Sequence, residues 1–197
     1  ARITEKRRKA AKQVEKEMSE RLVPLGIPKV RFEVNVLPDE LSYDGADKVV
    51  FLFSANSSSP MRPVEQVASG GEIARVMLSL KAMIGNAVEL PTIIFDEIDT
   101  GVSGRVAEQM AQIMKEMGSN DRQVISITHL PQIAALGTTH YKVAKEETAT
   151  GTASRMTLLD EEARVREIAQ MLSGSEVTQA AVDNARELIE KGKNNNV

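Results

Sequence analysis

The spacing of apolar residues changes period along the chain, and each change predicts a change of structure. Residues 2–22, RITEKRRKAAKQVEKEMSERL, are highly charged helix formers, with Ile3, Ala10, Val14 and Met18 near a heptad seam that Arg7 interrupts. So thin a seam fits a solvated surface helix and the last turns of a coiled coil entering a head domain equally well. Pro24, Gly26 and Pro28 end the helix. The period then drops to two. VRFEVNVL, residues 30–37, puts Phe32, Val34 and Val36 on one face, and KVVFLFS, residues 48–54, makes a second strand, with Asp44-Gly45 as a turn signal between them. An antiparallel meander is expected, followed by a loop, ANSSSPMRP. Asn56-Ser57-Ser58 within that loop matches a glycosylation sequon, but no sign of secretion accompanies it, so it is read as chance.

From residue 70 helices and short apolar strands alternate. Ile73, Val76, Met77, Leu80 and Ile84 recur at offsets of three and four and predict an amphipathic helix. TIIFD, residues 92–96, is a short strand after Pro91. Val106, Met110, Ile113, Met114 and Met117 line another helix that Gly118 ends, and QVISIT, residues 123–128, is a second buried-type strand. LPQIAALG reads as a short helix with Pro131 in its first turn, and THYKVAKE and SRMTLLD as a hairpin around Thr150-Gly151. Two helices close the chain. One carries Val165, Ile168 and Leu172; the other starts near Ser175 and carries Val177, Ala181, Ala185 and Leu188, with KGKNNNV expected to fray. Continuous apolar strands between helices predict a mostly parallel sheet covered on both faces. The fold class is therefore α/β, with an antiparallel meander ahead of it.

Composition changes this picture little. The 197 residues are 42% hydrophobic and 27% charged, which is ordinary for a globular chain, and a net charge of -3 does not argue for nucleic acid on bulk grounds. The absence of cysteine excludes a disulfide framework and a thiolate metal site and fits a reducing compartment weakly. Aromatic residues are 3% and Trp is absent, which argues against base-stacking platforms. No apolar run reaches transmembrane length and no signal-peptide pattern opens the chain. The helical pattern is already under way at the first residue, so the chain is expected to be a fragment of a longer protein.

Candidate chemistry gathers in four places. Ser69, Gly70, Gly71 and Glu72 stand where a helix begins. A helix start offers unpaired N–H groups and a positive dipole end, and glycine lets a phosphate reach the backbone, though a plain N-cap serine explains the tripeptide about as well. Asp96 and Glu97 end an apolar strand, the pattern of a Walker B segment, in which the aspartate helps hold Mg²⁺ and the glutamate polarises a water. Asp99, Thr100 and Gly101 follow, and alone would pass as a turn. His129 comes just past the 123–128 strand; a lone histidine there is more often structural than catalytic. His140 is given no role.

Order and spacing bind these elements together. ASGGE, TIIFDE, IDTG and ITHLPQ succeed one another as the signature, Walker B, D-loop and switch histidine of an ABC-type ATPase do. VASGGEIARVMLSLK, PTIIFDEIDTGVSG, ITHLPQIAA, VREIAQMLSG and TQAAVDNARELI, spanning roughly residues 64–190, further resemble the carboxy-terminal part of the head in the SMC-like ABC ATPases of bacterial DNA repair. The resemblance implies an ABC-type head lobe over residues 24–190, behind the end of a coiled-coil helix at 1–23 and ahead of a flexible tail at 191–197. It implies that Ser69, Gly70, Gly71 and Glu72 meet the γ-phosphate of ATP held by another head. Asp96 would help hold Mg²⁺ through water, Glu97 would be the general base, Asp99 would contact the opposite head, and His129 would sense the γ-phosphate. Implied partners are the amino-terminal lobe of the same head, a second head in a nucleotide-dependent homodimer, and DNA, with no membrane and a cytoplasmic, nucleoid-associated location.

One element is missing. A phosphate cradle reads GxxxxGK[ST], and the only Gly-Lys pair, Gly192-Lys193, has Asn194 after it and Glu187 in the first glycine's place. The expected unit is half a head: catalytic acids and a signature that acts in trans, with the cradle elsewhere. Two alternatives stand beside it. One is a nucleotide-binding domain fragment of another ABC ATPase, SMC-like or transporter; the transporter domain would need a complete cradle in the same domain and membrane partners. A non-catalytic interaction module on the same scaffold would have less reason to keep Asp96, Glu97 and His129. Arg2, Lys6, Arg7, Arg8, Lys9 and Lys12 would suit a DNA-facing patch, although a solvated helix face accounts for them more simply.

Overall fold

The computed structural model describes residues 2–66, 70–85, 90–118, 122–148, 151–174 and 176–194. They fall into two compact units. One is built from the chain up to Ile93 together with Ile98–Gln123, the other from Ile94–Glu97 together with the chain from Val124 onward.

The first unit opens with α1 (Arg2–Leu22), which buries Ala11, Met18 and Leu22. It lies along a hairpin of β1 (Arg31–Ser42) and β2 (Gly45–Ser54). The strands are antiparallel, and Phe32 opposes Phe53, Val34 opposes Phe51 and Val36 opposes Val49, so the expected face is kept. The two-residue β3 (Arg62–Pro63) joins the outer edge of β2 at Leu52 and Phe53. Polar contacts fasten helix to hairpin. Thr4 Oγ1 and Arg7 Nη1 donate to the Asp47 carboxylate at 2.9 and 3.1 Å, and Glu15 Oε1 accepts the Val34 N–H at 3.1 Å. Burial raises the Glu15 carboxyl, but hydrogen bonds from Lys12 and Val34 outweigh it and hold the group below the usual range. Arg7, at the break in the apolar seam, belongs to the face that grips the hairpin. Asn56, in the loop with the sequon, accepts from the N–H groups of Ser58 and Ser59 and so shapes the turn. The unit continues with α2 (Gly70–Gly85) and α3 (Gly104–Gly118), whose buried Ala107, Met110, Ala111, Met114 and Met117 follow the helical period.

The second unit takes up the end of β4 (Thr92–Asp96) and β5 (Gln123–Ile127), which are paired. The Gln123 N–H donates to Pro91 O at one end and the Glu97 N–H to Ile127 O at the other, so the two strands ascend together, the parallel sense. Next come α4 (Pro131–Leu136), then the antiparallel hairpin of β6 (Tyr141–Thr148) and β7 (Gly151–Leu158). Two helices follow: α5 (Glu161–Ser173), which Asp160 caps by accepting the Ala163 N–H at 2.8 Å, and α6 (Gln179–Asn194). Ala135, Ile168, Ala169, Ala181, Ala185, Leu188 and Ile189 form its core.

Three sequence expectations shift. The last helix begins at Gln179 because Thr178 Oγ1 accepts the Ala181 N–H; Ser175 lies outside the described residues. The same helix runs into the expected tail as far as Asn194, because it packs on α4: a Cβ on Gly192 would sit 3.2 Å from Ala135 O. Among the described residues, the β4–β5 pair is covered on one face only. Ile93 and Phe95 are buried, whereas Ile94, Ile125 and Ile127 are exposed.

Candidate functional site

Ser69 lies outside the described residues, so the site begins with Gly70, Gly71 and Glu72 in the first turn of α2. The two glycines serve different ends. A Cβ on Gly70 would meet nothing within 4 Å among the described residues, so this backbone is open to approach. A Cβ on Gly71 would stand 2.9 Å from the carbonyl of Thr100, so residue 71 has no side chain because the following loop passes against it. The N–H groups of a first helical turn lack intrahelical partners and carry the positive end of the dipole.

The loop that touches Gly71 contains Asp99, whose carbonyl accepts the Val102 N–H at 3.1 Å, with Gly101 at φ +73°. Asp99 itself is only 1% exposed. It is therefore Thr100 and Gly101, both exposed, that form the outer surface of the loop. Asp99 fixes the turn from inside.

The second unit holds the acids and the histidine. Asp96 is the last residue of β4 and is exposed. Glu97, next to it and also exposed, has φ +48° and is the one non-glycine residue with positive φ among those described. Such a conformation costs an L-residue about 1–2 kcal/mol. The Glu97 N–H donates to Ile127 O at 3.0 Å, which pins the strained residue to the end of β5. His129 is exposed two residues beyond that carbonyl, in the bend that leads to α4, and the Thr128 hydroxyl accepts the Leu130 N–H at 3.0 Å there. Asp96, Glu97 and His129 thus stand at the carboxyl ends of two neighbouring parallel strands, where open α/β sheets bind ligands. Gly70, Gly71, Glu72 and the Asp99 loop are brought together in the first unit. Among the described residues, no cluster of three or more acidic or histidine side chains is placed to hold a metal ion by itself.

Sequence reasoning missed Arg75. Its Nε donates to Gly71 O and its Nη1 to Leu25 O, both at 2.9 Å. The only signal was a long cation one helical turn after a glycine pair, which does not distinguish it from a solvated position.

No protein-family model matches the chain. Among curated proteins, it is 37% identical to the DNA repair protein RecN of Vibrio cholerae over 181 residues, 91% of this chain and 32% of that protein. It is 43% identical to RecN of Bacillus subtilis over 158 residues, 80% of this chain and 27% of that protein. RecN of Halalkalibacterium halodurans is 37% identical over 195 residues, 96% of this chain and 34% of that protein. This stretch of chain is homologous to RecN. It spans about a third of the length of the curated RecN proteins it matches. Among solved structures, the Smc head domain with a coiled coil and joint from Pyrococcus yayanosii superposes with a TM-score of 0.61 at 21% identity, over 81% of this chain and 29% of that one. A structure from work on ATP-driven dimerization and DNA-stimulated activation of SMC ATPases gives 0.58 at 19% identity, over 88% of this chain and 99% of that one. At these identities the likeness establishes the fold alone: the chain is folded like part of the Smc head domain. No helix among the described residues is long and apolar enough to cross a membrane.

Proposed function

We propose that this chain is the carboxy-terminal half of an ATP-hydrolysing SMC-like head that acts in repair of DNA double-strand breaks. It supplies signature, Walker B, D-loop and switch histidine to ATP sandwiched between two heads. The observation that carries this reading is the strained backbone at Glu97, held against the end of β5 two residues from His129. Strain at an exposed strand end is retained where geometry serves chemistry.

The residues fit the groups implied. The open backbone at Gly70, in the first turn of α2, admits a phosphate oxygen, and Ser69 precedes it with a hydroxyl. Asp96, exposed at the strand end, would hold Mg²⁺ through water; when bound, the ion neutralises charge on the phosphates. Glu97 would take a proton from the attacking water as its oxygen bonds to the γ-phosphorus and the bond to ADP breaks. His129 would hydrogen-bond the γ-phosphate. Asp99, in the loop whose outer surface Thr100 and Gly101 form, would contact the opposite head, and Glu72 would stay near the trans phosphate as part of the signature.

The phosphate cradle and the cover for exposed apolar strands are assigned to the amino-terminal lobe of the same head, in the part of RecN this chain does not span. Residues 1–23 are assigned to the end of a coiled-coil helix, 24–190 to the lobe and 191–197 to the tail, of which residues 191–194 belong to α6. DNA contact belongs to the complete protein.

Alone, the chain is expected to bind ATP poorly and to hydrolyse it negligibly; added amino-terminal lobe should restore turnover. In that reconstituted enzyme Glu97→Gln should keep ATP binding and lose about 100-fold or more in rate, the scale of a general base. Equal hydrolysis with and without the amino-terminal lobe would overturn the half-head assignment, and near-normal turnover by the variant would remove Glu97 from its role.

A further inference from the structure

We infer that Arg75 is a positioning residue: it ties the exit of α1 to the nucleotide-facing turn of α2, so that what docks at α2 is registered by α1. The inference rests on the ATPase reading above, because it concerns the same helix start.

The contacts of Arg75 are specific in direction. Nε and Nη1 of one planar guanidinium reach two carbonyls at 2.9 Å, Gly71 O in the first turn of α2 and Leu25 O just past the end of α1. Room for the guanidinium exists because residue 26 is glycine, at φ +82°. A Cβ there would lie 3.3 Å from Arg75 Nη1 and 3.0 Å from Val106 Cγ2 on α3. Leu25 is fully buried, and the segment that carries it is closed by hydrogen bonds from the Gly26 N–H to Val23 O and from the Ile27 N–H to Leu22 O. The α1 exit is thus a rigid anchor. At the other end, Gly71 lies against Thr100 O. One side chain therefore links the α1 exit to the one helical turn that both offers its backbone to solvent and abuts the Asp99 loop. A shift of the first turn of α2 toward a phosphate pulls on Gly71 O and, through Arg75, on Leu25 O.

Lysine has one nitrogen on a flexible stem and cannot hold both carbonyls in the fixed fork that arginine offers. Arg75→Lys and Arg75→Gln are therefore informative in the complete protein. The expected result is a thermal midpoint close to that of the parent and a KM for ATP within about twofold, with kcat reduced about tenfold or more, the mark of an interaction realised in the transition state. Hydrogen exchange supplies the readout that a merely structural arginine would not move. ATP should slow exchange at the amides of Val23, Gly26 and Ile27 in the parent and leave it unchanged in both variants. Parental kcat in Arg75→Lys, a loss carried wholly by KM, or ATP-induced protection that persists would each overturn the inference. If Arg75→Gln fails to fold, Arg75→Lys decides; unfolding of both would assign Arg75 to stability alone and overturn it as well. A parent that does not hydrolyse ATP, or a Glu97→Gln protein that still does, would sink the ATPase reading. A parent that turns over beside indifferent Arg75 variants would sink this inference alone.

Discussion

At the scale of the residue, the site is a set of positions where local preference is overridden. Glu97 adopts a left-handed conformation that asparagine enters more readily. Glu97→Asn should therefore raise unfolding free energy by about 0.5–1 kcal/mol while abolishing turnover in the complete enzyme. Denaturant melts paired with an ATPase assay check it, and a destabilised variant would show that the glutamate side chain stabilises the fold itself. The glycine pair separates in the same way. Gly71→Ala pushes a Cβ to within 2.9 Å of a backbone carbonyl and should cost about 1–3 kcal/mol. Gly70→Ala meets open space, and should alter stability by no more than about 0.5 kcal/mol yet impair ATP-dependent association of heads. Equal melting of the two variants would contradict the packing at Thr100. The pair itself was legible from its place before an apolar helix. Its division of labour was not, because the loop that crowds Gly71 comes from 29 residues further on.

At the scale of the element, periodicity carried most of the fold. The offsets of three and four in α2 and α3, the alternation in β1 and the Pro131 start of α4 all appear where the sequence places them. Boundaries moved where a tertiary contact decided them, as with Gly192 against α4, or where a polar side chain did, as with Thr178 at the start of α6. His140, ahead of β6, shows a contact no pattern could announce. Its Nδ1 is buried with no hydrogen-bond partner among the described residues. Burial, then the charge of Arg164, push the imidazole below its ordinary value; Glu167 opposes this and Lys142 adds to it. The unfolded chain thus binds a proton more readily than the folded one. Stability rises with pH across this interval, and is lost as pH falls from the ordinary histidine value, about 6.5, toward the lower folded one. His140→Gln should flatten that decline between about pH 7 and pH 5. Urea melts at several pH values test it; an unchanged slope would place the pH sensitivity elsewhere.

At the scale of the whole molecule, the mismatch lies in what remains uncovered. Strands such as TIIFD and QVISI read as buried on both faces, yet Ile94 is 61% and Ile127 50% exposed. On the hairpin, the cross-strand pairs Tyr141–Leu158 and Val143–Met156 are exposed as well. A strand pattern predicts a buried face without stating which segment buries it, and the expected cover on this second face is not found among the described residues. With the chain spanning about a third of RecN, the amino-terminal lobe is the proposed cover. Charge at these positions then has opposite consequences in the part and in the whole. In the isolated chain, Ile94→Lys and Ile127→Lys occupy exposed sites and should shift stability by no more than about 0.5 kcal/mol, with improved solubility. Against the amino-terminal lobe each removes an apolar contact worth about 1.5–3 kcal/mol if fully buried, so association should weaken about tenfold or more. Calorimetric titration of the two lobes measures this directly. Unchanged affinity in both variants would mean that this face of β4 and β5 stays in water in the complete head, and that the lobes join elsewhere.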